Sequence, residues 1–98
     1  MIVRILDAWV TLKFVLRRAI RGCDGKYDAE KKQILVYNGL EDPYRLEIIL
    51  HELLHAADYY KDEVWVKRTA HDIAEILTKL GYKRDPASGL HRIDSSGD

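Results

Sequence analysis

The chain has 98 residues, with 16 Lys and Arg against 16 Asp and Glu and a formal net charge of zero. That length holds one domain and one modest core but no second lobe, and the balanced charge gives no global field favouring nucleic acid or an anionic membrane. The single cysteine, Cys23, excludes an internal disulfide framework and suits a reducing compartment. At the N-terminus, Arg4, Asp7 and Lys13 interrupt the apolar residues and no small-residue cleavage site follows, so no signal peptide is expected. No run is long enough to cross a bilayer. The expected location is the cytoplasm, with no membrane partner.

Val10, Leu12, Phe14 and Leu16 alternate with Thr11, Lys13, Val15 and Arg17, the period-two pattern of a half-buried strand. Ile2–Leu6 is a candidate separate short strand, and Leu16–Arg21 also admits a helical reading. Gly22-Cys23-Asp24-Gly25 reads as a turn, which makes Cys23 incidental. Tyr27 and the run Gln33–Tyr37 predict a further strand, closed by Asn38-Gly39. The basic residues Lys13, Arg17, Arg18 and Arg21, and again Lys79, Lys83 and Arg84, read as solvated faces or helix-end charges, since neither group is interleaved with aromatics.

A helix follows, with Asp42 as N-cap and Pro43 at its first position. Leu46, Ile49, Leu50, Leu53, Leu54 and Ala57 repeat along it with helical spacing. A second helix starts near Asp62-Glu63, carries Val66, Ala70, Ile73, Leu77 and Leu80 on one stripe, and ends at Gly81. The short connector Tyr59–Lys61 implies an antiparallel pair. The fold expected is α+β: a small antiparallel or mixed sheet from the N-terminal half packed on two antiparallel helices. Residues 1–82 form the domain and 83–98 a polar tail.

The first helix contains His51-Glu52-Leu53-Leu54-His55. Residues four apart stand one turn apart on one helix face, so two imidazoles there can grip one metal ion. The adjacent glutamate can then take the proton of a water held by that ion. At about 100° per residue, the leucine and isoleucine stripe centres roughly 150° from the two histidines. They therefore lie off the main core face, where a cleft can form.

A catalytic zinc ion takes three protein ligands and leaves a position for water. Glu63, at the inward edge of the second helix, leads the candidates, although a first-turn carboxylate also simply favours the helix dipole. Asp58 shares the histidine face but sits too far along the axis, which suits it to orienting an imidazole. His71 lies opposite His51 if the helices pair symmetrically, and Asp72 sits further round.

The pattern resembles the catalytic core of zincin metallopeptidases. More narrowly, Gly22 to Tyr82 resembles small, mostly uncharacterised metallopeptidases of bacteriophages and bacteria, related in pattern to SprT-like proteins. The resemblance is carried by Gly22-x-Asp24, Gly25-Lys26-Tyr27-Asp28, His51-Glu52-x-x-His55-Ala56, Glu63-x-x-Val66, Ala70-x-Asp72-Ile73-Ala74 and Leu80-Gly81-Tyr82. It implies zinc at His51 and His55, Glu52 as general base and Glu63 as third ligand. The chain lacks the extended motif of metzincins: Asp58 stands where the glycine would be and Lys61 where a third histidine would be.

The reading expected is a minimal zinc-dependent peptidase. An extended peptide or protein substrate would add along the edge of the N-terminal sheet; Tyr59 or Tyr60 could donate to the developing oxyanion, although two tyrosines at a helix end are more often packing residues. A second copy could complete the half-built cleft. The alternative is a catalytically inactive, metal-stabilised binding module, such as a phage accessory protein acting on a host factor. A helical DNA-binding reading fails because Lys67-Arg68 alternate with Glu63, Asp72 and Glu75, and no nucleic-acid partner is expected.

Overall fold

A computed structural model of the protein describes residues 1–82. The tail expected over 83–98 lies outside the described residues, as do Lys83 and Arg84. The chain runs β1 (Ile2–Ile5), β2 (Ala8–Val15), a turn of 3-10 helix (Arg17–Ile20), β3 (Gly25–Asp28), β4 (Gln33–Tyr37), α1 (Tyr44–Ala57) and α2 (Glu63–Lys79). The fold is α+β, as the patterning predicts.

The four strands form one mixed sheet in the order β1-β2-β4-β3. β1 and β2 form an antiparallel hairpin, β2 runs parallel to β4, and β3 pairs antiparallel with β4. The period-two alternation of β2 sends Val10 and Leu12 to one face, where they meet Ile34 and Val36 of β4 and Leu40. These five residues are the buried centre of the sheet side, and Ile34 and Val36 are fully enclosed. Beside β4, β3 is an end strand of the sheet among the described residues.

Three readings are decided in this half. Leu16–Arg21 resolves to the 3-10 turn, which Arg21 (φ 54°) and Gly22 (φ 82°) terminate in the left-handed region. The expected single strand around Tyr27 and Gln33–Tyr37 is two strands joined by a turn. Asp28 makes that turn, its Oδ1 accepting from the N–H groups of Glu30 and Lys31 at 3.0 and 3.1 Å. Gly25, expected in the preceding turn, is the first residue of β3.

α1 begins one residue later than expected, so Pro43 rather than Asp42 stands at its N-cap and no side chain caps it. The Asp42 carboxylate instead faces the Arg45 guanidinium at 4.0 Å. Ile48, Ile49, Leu53 and Ala56 pack on the sheet core. The sheet-facing stripe is thus rotated by roughly a quarter turn from the expected one, and Leu50 and Leu54 are half-buried outside that cluster. α2 matches its signals closely. Asp62 caps it by accepting from the Trp65 N–H at 3.0 Å. Val66, Ala70 and Ala74 are its buried residues, and Leu80, expected on that stripe, is exposed. Gly81 (φ 94°) closes the helix: its N–H reaches Thr78 O and that of Tyr82 reaches Leu77 O, both at 3.0 Å.

Candidate metal centre

His51 and His55 stand one turn apart on α1, half-buried, with side chains 18% and 20% exposed. Their Nε2 atoms are 3.1 Å apart. Glu63, in the first turn of α2, closes the group: Oε2 lies 3.0 Å from His51 Nε2 and Oε1 lies 2.9 Å from His55 Nε2. The three residues form the one such donor group among the described residues that could hold a metal ion.

The geometry of the group can be tested against an ion. A tetrahedral ion with bonds of ~2.0–2.1 Å separates its ligand atoms by roughly 3.3–3.4 Å. The two Nε2 atoms, 3.1 Å apart, need to open by only a few tenths of an ångström, and the Glu63 carboxylate faces them with one oxygen 3.0 Å from His51 and the other 2.9 Å from His55. Two imidazole nitrogens and one carboxylate oxygen are a donor set that zinc accepts. Ligation also needs neutral imidazole. Burial lowers the pKa of His51 from its ordinary 6.5; the Glu63 charge opposes this and His55 adds to it. The donor set fits a zinc ion.

The other sequence candidates fall elsewhere. Asp58 is the C-cap of α1 and its Oδ1 accepts from the Tyr60 N–H at 3.2 Å. It turns the chain towards α2 and does not orient an imidazole as expected. His71 meets Glu47, not His51: its Nδ1–H donates to Glu47 Oε1 at 2.9 Å. The antiparallel pairing that brings Glu63 to His51 and His55 places residue 71 nearer the start of α1. Asp72 borders a shallow depression with Arg68 and Thr69, outside the group. Tyr59 packs its ring against Tyr27 and Tyr60, with centroids 6.3 and 5.4 Å apart, and both residues of the connector are exposed.

Glu52 is the buried residue of α1, 8% exposed, in the midst of the face that packs on the sheet. Burial pushes its carboxyl from an ordinary 4.5 up to about 7, the Glu63 charge adds to the rise, and the Tyr27 backbone N–H opposes it. A carboxyl poised near neutrality can accept a proton and return it.

β3 supplies the wall against which Glu52 lies. At Gly25 a Cβ would stand 2.6 Å from Ile48 Cγ2 and 3.3 Å from Glu52 Cγ. Bare backbone is therefore required for α1 to lie this close to the strand. Gly25→Ala is expected to cost about 1–3 kcal/mol by overpacking, read as a lower urea midpoint; an unchanged midpoint would show that α1 yields freely. Just before β3, Asp24 ties the strand to α1 and to the 3-10 turn. Tyr44 Oη donates to its Oδ2 (2.6 Å) and Arg17 Nη1 to its Oδ1 (2.7 Å). The Tyr44 hydrogen bond and the Arg17 guanidinium hold Asp24 below the usual carboxylate range, and Asp24 pushes the Tyr44 phenol up to about 12. Arg17 also lies 4.1 Å over the Tyr37 ring. It is thus a structural clamp and not the solvated charge expected, a role that the sequence spacing carries no signal for.

Compared with known proteins, the chain matches no family model, and no curated protein or solved structure is found to match it. No helix of the described residues is long and apolar enough to cross a membrane.

Proposed function

We propose that this protein is a zinc-dependent metallopeptidase of the zincin type, similar in pattern to the SprT-like proteins, working in the cytoplasm. The observation that carries the reading is the pair of Nε2 atoms of His51 and His55, 3.1 Å apart and each within 3.0 Å of a different oxygen of the Glu63 carboxylate, beside a buried carboxyl. A zinc ion there would supply a Lewis acid able to polarise a carbonyl and to lower the pKa of a water molecule towards neutrality. His51 and His55 would hold it through neutral Nε2, and Glu63 would neutralise part of its charge. Glu52 takes the water proton and hands it to the leaving amine, a shuttle suited to a carboxyl whose pKa lies near 7. The end strand β3 flanks the same stretch of α1. An extended peptide can add along that edge by backbone hydrogen bonds.

The experiment is metal content per chain by plasma mass spectrometry, on tag-free protein with a His51→Ala/His55→Ala control. About one zinc per chain, lost in the control, is expected. No metal after zinc addition would overturn the metal centre. A bound zinc that is closed by four protein ligands, and whose removal unfolds the domain, would favour the silent binding module instead.

A further inference from the structure

The ligands proposed for the ion come from two helices, so their fit depends on how α1 and α2 register along their common axis. His51 and His55 belong to α1 and Glu63 to α2. The buried residues of α2 are Val66, Ala70 and Ala74. Two of the three are alanines, and such small side chains form shallow ridges that resist separation but lock axial sliding weakly. A slip of one residue moves a side chain ~1.5 Å along the axis. A Zn–O bond of ~2.0–2.2 Å tolerates only about 0.2 Å.

The described residues contain one further ion pair between these helices, between His71 and Glu47. His71 Nδ1 stands 2.9 Å from Glu47 Oε1, and the Glu47 side chain is only 23% exposed. Glu47 lies one turn before His51, and His71 lies about two turns after Glu63. The two polar contacts therefore bracket the α1–α2 seam on either side of Val66 and Ala70.

We infer that Glu47 and His71 are positioning residues for the metal centre: their bond pins α2 in the register that presents Glu63 to His51 and His55. Resting on the zinc reading above, it assigns His71 to the site as a holder of the third ligand and not as a ligand. The pair lies partly in solvent, so its effect is modest.

Zinc affinity by chelator competition tests the inference without any activity assay. His71→Ala is expected to weaken zinc about two- to fivefold, the range an exposed pair supports. Glu47→Gln, which keeps the side chain's size, should do the same from the other helix, and His71→Gln, which restores an N–H donor, should recover part of the loss. The decisive arm is a double-mutant cycle: in a Glu63→Ala background, His71→Ala should change nothing further. Unchanged affinity in both His71→Ala and Glu47→Gln would overturn the inference and leave the metal centre standing. An equal loss with and without Glu63 would reduce the pair to a general support of the fold, and a loss as complete as that of His51→Ala would make His71 a ligand. Either overturns the positioning role. Absence of zinc from the wild-type chain would instead overturn the metal centre, and this inference with it.

Discussion

Glu52→Gln is expected to leave about one zinc per chain in place and to lower kcat by about a hundredfold or more, with KM little changed. The substitution keeps the side chain's shape, so the packing against Gly25 and Ile48 survives. The proposed ligands are other residues, His51, His55 and Glu63. What would be lost is the proposed proton acceptor, and a positioned general base contributes typically ~10²–10⁴ to rate. A fall in kcat and kcat/KM together marks an interaction made only in the transition state. Glu63→Ala separates the roles, because it should weaken zinc as well as turnover. Peptide cleavage by zinc-loaded Glu52→Gln at the wild-type rate would remove Glu52 from the chemistry.

Much of this centre is local in sequence and therefore legible. His51 and His55 stand one turn apart because a helix puts residues i and i+4 together, and the apolar spacing around them identifies the helix. Asp62 and Gly81 mark the ends of α2 because capping is also a local matter. The helix pair is legible for the same reason, since a three-residue connector leaves little choice of direction. What escapes such reading depends on contacts between elements. Glu63 could be ranked above Asp58 and His71 only by its place on a helical wheel, and the choice needed the real register of α1 on α2. His71 found Glu47 instead of His51 because the pairing runs along the helices at a phase the sequence does not print. The rotation of α1 is of this kind too. Both of its sides are covered, one by the sheet and one by α2, so its apolar residues spread around the wheel and their mean direction points at neither. Glu52 could be given its chemistry from its neighbours, yet its burial comes from Gly25, 27 residues earlier on a strand that read as a turn. A glycine looks like a turn signal in sequence. Only the Ile48 side chain of α1, 2.6 Å from where its Cβ would stand, shows that closeness is what it supplies.

The same burial that suits Glu52 to proton transfer should make it a liability to the metal-free fold. In chelator, the wild-type chain is expected to lose stability as pH rises from about 4.5 to 8, and Glu52→Gln is expected to escape that loss. The sign follows from the direction of the pKa shift. Burial, and then the Glu63 charge, raise the folded-state value from 4.5 to about 7, so the folded chain holds this proton more tightly than the unfolded one. The associated stabilisation is fully present below 4.5 and is lost as pH rises through about 7. At ~1.4 kcal/mol per tenfold change in proton affinity, the loss is on the order of 3 kcal/mol, a large share of what a small domain holds in reserve. An amide carries no charge to bury. Wild type and Glu52→Gln should therefore unfold at similar urea concentrations at pH 4.5 and diverge by pH 8, with the variant the more stable. Subtracting the two curves removes every other group that titrates over this range. Zinc should then narrow the gap at pH 8, since a cation beside the carboxylate favours its charged form. Parallel stability curves from pH 4.5 to 8 would mean that the Glu52 carboxylate is as well solvated folded as unfolded. A carboxyl raised towards neutrality at direct cost to the fold is what selection for the proposed chemistry would leave behind.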